Sequence, residues 1–233
     1  MLRGLGNRVK LHIAETCVGT RALGPGLRSV AWVQGCPFRC QGCIAPDWIP
    51  FGIASGGREV TPADLAAELL ANPDVTGFTF SGGEPMSQAA GLAQLITIAR
   101  RQRDLTLICF TGYGLAELRE RPPGAGTDDL LAAVDVLIDG RYVAARNDGR
   151  GLRGSANQRI HFLTDRLRHA EPDLVSGQRR TEIRIRDRSA LLVGVPGPGV
   201  LDAFDLGTHT GATCAAKAAG AEAGTRRRHS RAE

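Results

Sequence analysis

The stretch RSVAWVQGCPFRCQGC, residues 28–43, decides how this chain is read. Its first part, 28–34, is rich enough in β-branched, aromatic and apolar residues to predict a strand. Its second part sets Cys36, Cys40 and Cys43 in a C-x3-C-x2-C spacing, with glycines at Gly35 and Gly42. The expected unit is a strand that delivers three thiols to the loop at its carboxyl end.

The strand-then-loop pattern recurs downstream. Residues 75–80 (VTGFTF) predict a strand that runs into Ser81-Gly82-Gly83-Glu84-Pro85. Residues 105–110 (LTLICF) predict another that runs into TGYG, and 134–139 (VDVLID) a third that runs into DGRY. Residues 159–163 (RIHFL) predict one more. Helices fall between them. Thr61 is placed to cap a helix with Pro62 in its first position and Asp64 in its first turn. Residues 89–103 carry Leu92, Leu95, Ile96 and Ala99 at helical spacing. Residues 115–121 and 128–133 predict short helices, the first stopped by Pro122-Pro123. Strands alternating with helices imply βαβ units and a mostly parallel sheet, with chemistry in the loops at the carboxyl ends of the strands. The cysteine loop, SGGEP, TGYG and DGRY are expected to share one rim.

Bulk properties narrow the function classes. The 233 residues suffice for one domain with a substantial core, and 42% hydrophobic with 23% charged is ordinary for a globular protein. No apolar run approaches the ~20 residues of a membrane span, so no membrane partner is expected. The first fifteen residues lack a signal-peptide pattern, so a cytoplasmic location is expected, where thiols stay reduced. Six cysteines there point to metal or redox chemistry rather than disulfides. The net charge of +5 owes much to Arg226, Arg227, Arg228 and Arg231, while the body mixes both signs. A nucleic-acid partner is not expected.

The character changes after about residue 170. Residues 182–186 (EIRIR) and 190–195 (ALLVGV) flank a short polar turn and predict a β-hairpin. From about 206 the sequence is Ala/Gly/Thr-rich and ends in arginines, which predicts disorder. The expected organisation is a main domain over 1–170, a hairpin extension over 171–205 and a disordered basic tail over 206–233.

Soft thiolates select zinc or iron–sulfur clusters. Structural zinc sites usually use two separated ligand pairs. Here Cys17, Cys109 and Cys214 stand isolated in the sequence, and His12, His161 and His169 show no ligand spacing. Two readings remain at this point. One is a zinc site completed by a distant Cys or His. The other is a cubane cluster with three corners held and the fourth iron open to a small molecule. SGGEP also has two readings: a tight turn after a strand, or a loop whose glycines let the backbone approach a ligand. A non-catalytic zinc or iron–sulfur binding module is the rival from another class, and it leaves GGEP unexplained.

C-x3-C-x2-C followed by GGEP resembles the radical S-adenosylmethionine enzymes. Gly42 gives the form C-x3-C-x-G-C. GPGLR at 24–28, Trp48, FTGY at 110–113, VDVLIDGRYV at 134–143 and LRGSANQ at 152–158 follow in matching order. Together they resemble the glycyl-radical activating enzymes, in particular those of anaerobic ribonucleoside-triphosphate reductase, over about residues 11–165. The resemblance implies an α/β fold, a partial open (β/α) barrel, with 1–170 as the catalytic domain. It implies one [4Fe–4S] cluster held by Cys36, Cys40 and Cys43. S-adenosyl-L-methionine would chelate the fourth iron through its amino and carboxylate groups. Gly42 and Ile44 would lie beside the cluster, and Gly82, Gly83, Glu84 and Pro85 would hold the methionine part. Thr111 and Asp139, at the ends of the next two strands, are candidates for the ribose or amino acid.

The implied activity is that of an oxidoreductase: reductive cleavage to a 5′-deoxyadenosyl radical, which abstracts hydrogen from a glycine of the partner reductase. No side chain is assigned a catalytic role. Reduced flavodoxin or a similar carrier is the implied electron donor. The runner-up is action on another glycyl-radical enzyme or a peptide. Arg28, Arg153, Ser155 and Asn157 read either as supports of the site or partner, or as surface charge and loop-capping groups. Tyr113 and Trp48 read as packing residues, and Cys109 as a buried core thiol.

Overall fold

The computed structural model describes residues 9–52, 56–186, 189–201, 203 and 213–214. In chain order the first elements are β1 (Leu11–Thr20), β2 (Arg28–Val33), β3 (Arg58–Val60), α1 (Pro62–Leu69), β4 (Gly77–Gly82), α2 (Ala89–Arg100) and β5 (Thr106–Thr111). Then come α3 (Leu115–Glu120), α4 (Thr127–Ala133), β6 (Val136–Asp139), β7 (Arg159–Phe162), α5 (Glu171–Ser176), β8 (Thr181–Arg186), β9 (Ser189–Gly194) and β10 (Thr213–Cys214).

One sheet organises the molecule, in the order β3-β1-β2-β4-β5-β6-β7. Its middle, β2-β4-β5-β6, is parallel. β1 and β7 flank it antiparallel, and β3 pairs antiparallel with β1. The sheet stays open: β3 and β7 are its two edges. Val33 pairs with Gly82, Phe80 with Cys109 and Thr111 with Asp139, so four carboxyl ends reach one edge together. The anticipated shared rim is present.

Alternation along the strands makes two cores. Ala31, Val33, Phe78, Phe80, Leu107, Cys109 and Leu137 face α1, α2 and α4. Val30, Trp32, Ile108, Val136 and Ile138 face the other way. Cys109 is fully buried in the helix-side core as a core thiol, and burial pushes its pKa well up. Val75 and Val134 are buried just before their strands, which is why the strands begin two residues later than their apolar runs. α1 starts as expected, with the Thr61 side chain accepting from the Asp64 amide.

β1 was not foreseen from the sequence. Its register shifts between Ile13 and Glu15 and again between Cys17 and Thr20. Leu11 and Ile13 therefore join the helix-side core while Cys17 joins the opposite one. A bulge flips the buried parity, so the strand lacks the simple alternation that identifies one. β3 is three residues long and mostly exposed, too short to read.

The second core is closed by Leu152, Leu167, Leu174, Leu191, Val193 and Val195. Residues on both sides of position 170 share it. Burying four large apolar side chains is worth roughly 6–12 kcal/mol gross, comparable with the whole net stability of a domain. The stretch carrying Leu174 to Val195 is therefore built into the body. The hairpin β8–β9 pairs as anticipated, Glu182 with Val193 and Arg184 with Leu191. The disorder expected for 206–233 lies outside the described residues, apart from β10, which pairs in parallel with β9.

Arg28 sits at the amino end of β2, away from the cysteine loop. Its guanidinium is fully buried. Nε donates to Thr79 Oγ1 at 2.8 Å, Nη1 to Thr106 Oγ1 at 2.9 Å, and Nη2 to the Phe78 carbonyl. Burial lowers its pKa to about 9, with Asp135 opposing. Of the two sequence readings, neither holds: Arg28 is no surface charge and does not reach the rim. It clamps the amino ends of β2, β4 and β5.

Candidate functional site

The cysteine loop is pinned at its neck. The Gly35 amide donates to the Trp48 carbonyl and the Cys36 amide to the Ile49 carbonyl, both at 2.9 Å. Gln34 Nε2 donates to the Asp47 and Pro50 carbonyls. Inside the loop, Phe38 packs edge-on against Tyr113 at 4.7 Å, and Arg141 lies 4.5 Å over its ring. The Phe38 ring thus ties the cysteine loop to the loops after β5 and β6.

Cys36, Cys40 and Cys43 are half-buried free thiols that line one cleft at the carboxyl edge of the sheet. Burial pushes the Cys36 thiol up to about 11, with charge on Glu84, Cys40 and Cys43 adding. Burial also raises Cys43, again with Cys40 adding. Such thiols become thiolates when a soft cation displaces the proton. Among the described residues, no three His, Cys, Asp or Glu converge tightly enough to hold a single ion. A cubane does not need that convergence, because each thiolate takes its own iron. Three adjacent soft donors beside an open cleft fit a cluster with one free corner.

The SGGEP loop forms the next wall. A Cβ on Gly82, at φ +106°, would lie 2.5 Å from the Val33 amide nitrogen, and one on Gly83 would lie 2.3 Å from the Gly35 carbonyl oxygen. The Gly83 amide donates to the Val33 carbonyl, and the Glu84 amide to that of Gly35. The close approach these glycines permit is therefore first to the cysteine-bearing segment, and only second to the cleft. Glu84 is buried and bonded three ways: from the Met86 amide at 2.8 Å, the Thr111 hydroxyl at 2.8 Å and the Gly112 amide at 2.7 Å. Burial pushes its carboxyl up to about 7, against those three hydrogen bonds. It staples the loop after β4 to the loop after β5.

Ile44, Gly82, Gly83, Glu84 and Thr111 line the cleft with the three cysteines. Gly42, Pro85 and Asp139 do not. Gly42, at φ +73°, packs toward Ala144, and Pro85 is buried at the start of a short 3-10 turn. Asp139 accepts from the Leu115 amide at 2.7 Å and lies 2.9 Å from His161 Nε2, an ion-pair distance without hydrogen-bond alignment. Its neighbour Gly140 faces the cleft instead. Ser155 Oγ accepts from the Val143 amide, Asn157 donates to the Arg141 carbonyl, and Arg153 pairs with Asp148. Those three hold the loop after β6 in shape, as loop-capping groups do.

The cleft also takes Trp32, Trp48, Phe110, Tyr142, Gln158, Gly194 and Val195. Trp32 packs against Trp48 with ring centroids 5.8 Å apart and the planes tilted by 41°. Strand parity could have placed Trp32 and Phe110 opposite Val33 and Cys109. No local pattern marks Gly194 and Val195, which arrive from the far end of the chain.

Residues 22–161 match the family model described as a 4Fe-4S single cluster domain. Pyruvate formate-lyase-activating enzyme of Clostridium pasteurianum is 36% identical over 137 residues, 56% of this chain and 54% of that protein. The anaerobic ribonucleoside-triphosphate reductase-activating protein of Enterobacteria phage T4 is 29% identical over 150 residues, 61% of this chain and 88% of that protein. Pyruvate formate-lyase 1-activating enzyme of Escherichia coli (strain K12) is 31% identical over 135 residues, 55% of this chain and 50% of that protein. The chain thus spans about half the length of the two lyase-activating enzymes. These matches agree with the resemblance to radical S-adenosylmethionine activating enzymes carried by the motifs. Among the described residues, no helix is long and apolar enough to cross a membrane.

Proposed function

We propose that this chain, which belongs to the family of 4Fe-4S single cluster domains, is a cytoplasmic radical S-adenosylmethionine oxidoreductase that activates a glycyl-radical protein. The observation that carries the reading is the convergence of Cys36, Cys40, Cys43 and the loops after β4 and β5 on one cleft. The thiolates of Cys36, Cys40 and Cys43 would hold the [4Fe–4S] cluster, and Ile44, in the same cleft, would lie beside it. Ser81, Gly82 and Gly83 form the wall that receives the methionine part of S-adenosylmethionine. When bound, these cofactors would supply one-electron reductive cleavage of the sulfonium and hydrogen abstraction from a glycine of the partner. Trp32, Trp48 and Phe110 exclude water from the apolar side of the cleft. Glu84 and Thr111 act by holding the two loops together.

The favoured partner is an anaerobic ribonucleoside-triphosphate reductase. The C-x3-C-x-G-C form supports it, and so does a match that spans most of the phage activating protein. A pyruvate formate-lyase type of partner is the second reading, supported by the higher identity to that activating enzyme. Reduced flavodoxin or a similar carrier is the proposed electron donor. The test is anaerobic. The chain is reconstituted with iron and sulfide, reduced with dithionite and given S-adenosylmethionine, with Cys40→Ala as control. The expected result is 5′-deoxyadenosine from the parent and none from the variant. A colourless, zinc-loaded parent that makes none would overturn the reading. Adding either candidate partner and recording the glycyl radical by electron paramagnetic resonance then separates the two partners.

A further inference from the structure

One wall of the cleft is bonded from behind by an arginine that lies outside every sequence motif. Arg179 lies in the segment between α5 and β8, with its side chain 5% exposed. Its nearest carboxylate, Asp148, is 3.7 Å away. The guanidinium is instead spent on carbonyl groups. Nε donates to Gly151 at 3.2 Å, Nη1 to Pro196 at 2.9 Å, and Nη2 to Arg153 and Gly154. Nη1 also donates to Asn147 Oδ1 at 2.7 Å.

Three of these acceptors belong to the cleft or adjoin it in sequence, while Gly151, like Arg179 itself, lines a separate cavity behind it. Gly154 lines the cleft itself, and Pro196 follows Val195, which lines it too. From Gly154 the network continues through Gln158. Its Oε1 accepts from the Gly154 amide at 2.8 Å, and its Nε2 donates to the Gly140 carbonyl at 2.7 Å. Gln158 and Gly140 both line the cleft. One hydrogen-bonded chain thus runs from the loop after β6, through residues 154–158 and Arg179, to the end of β9.

We propose that Arg179 is a positioning residue for the cleft: by gathering the carbonyls of Gly151, Arg153, Gly154 and Pro196 it fixes the wall that helps set the shape of the S-adenosylmethionine site. The inference rests on the function proposed above for what the cleft binds, and on geometry alone for what holds the wall. A planar guanidinium offers five donors in a fixed fork, enough for the five acceptors named, whereas an ammonium offers three on a flexible stem. Arginine is therefore required, and charge alone is insufficient.

The test compares the full-length parent with Arg179→Lys, Asn147→Ala and Arg100→Gln. Arg100 is a similarly networked arginine that pairs with Asp135 and donates to the Leu105 carbonyl, remote from the cleft. Affinity for S-adenosylmethionine is measured on the reconstituted protein by anaerobic equilibrium dialysis. Acrylamide quenching of Trp32 and Trp48, the chain's two tryptophans, is measured before reconstitution. Arg179→Lys is expected to weaken binding roughly tenfold and to raise quenching about twofold. Arg100→Gln is expected to lower the melting temperature while leaving both readings within about twofold of the parent. Asn147→Ala keeps the arginine and removes one of its acceptors, along with the amide's own donation to the Pro196 carbonyl and its acceptance from the Gly149 amide. A roughly threefold loss of affinity is expected from it, and it decides the matter if the lysine variant does not fold. A folded Arg179→Lys, or failing that Asn147→Ala, with parental affinity and quenching would overturn the proposal. So would an Arg100→Gln effect as large as that of Arg179→Lys. If the parent itself binds no S-adenosylmethionine, the proposed function falls, and the quenching comparison still decides whether Arg179 holds the wall.

Discussion

The amino end of the parallel sheet buries Arg28 and the carboxyl end buries Glu84, to different effect. At the amino end, Arg28 distributes its donors over Thr79, Thr106 and the Phe78 carbonyl. At the carboxyl end, Glu84 collects donors from Met86, Thr111 and Gly112. Burial disfavours the charged form of both, lowering Arg28 to about 9 and raising Glu84 to about 7. Near neutrality Arg28 stays a cation, while Glu84 stands near its midpoint. The amino end is a permanent clamp, and the carboxyl end is a staple whose charge is costly to keep. The end that carries the cleft is thus the one whose buried group changes charge near neutral pH.

Four substitutions probe that contrast, from the largest effect to the smallest. Arg28→Ala strips the clamp and leaves buried hydroxyl and carbonyl groups without a donor. It is expected to cost about 3–5 kcal/mol in urea unfolding. Where protein still folds at low temperature, the contrast requires its cysteine loop to load iron normally, and failure to do so would erase the distinction between the ends.

Glu84 gives a pH signature in the cluster-free chain. Its carboxyl binds its proton more tightly folded than unfolded, so the native state holds the extra proton between pH 4.5 and about 7. Stability from this group is full below pH 4.5, falls as pH rises to about 7 and is flat above. The total is roughly 3 kcal/mol. Glu84→Gln cannot titrate and should flatten that slope in urea unfolding measured from pH 4.5 to 8. An unchanged slope would mean that Glu84 is not the group responsible.

Thr111→Val removes the hydroxyl that donates to Glu84 and accepts from the Tyr113 amide. A loss of about 1–3 kcal/mol is expected, with weaker S-adenosylmethionine binding, because the staple joins two walls of the cleft. Thr61→Ala removes the cap of α1, which belongs to neither end, and should cost about 1 kcal/mol with binding unchanged.

The legible parts of this molecule are those whose information is local. β2, β4, β5 and β6 are apolar runs followed by loop residues, and α1 carries its own cap and proline. The cysteine spacing and SGGEP are readable because a cluster-binding loop needs several donors close together. β1 escaped because its bulges move Cys17 to the face opposite Leu11 and Ile13. Glu84 was readable as a site residue but not as the partner of Thr111, 27 residues away. Asp139 sits where a rim residue should be, yet the α3 amide at Leu115 takes its carboxylate. Gly194 and Val195 reach the cleft, and Arg179 reaches the carbonyls behind its wall, through long-range packing, which leaves no period or spacing to find.

The central claim is that three cysteines hold a cluster whose fourth corner opens into the cleft. The most direct measurement is the electron paramagnetic resonance spectrum of the anaerobically reconstituted, reduced chain, recorded with and without S-adenosylmethionine. A cluster signal whose line shape changes on addition is the predicted result. A cluster signal indifferent to S-adenosylmethionine would contradict the account and return the chain to an electron-carrying or purely structural role.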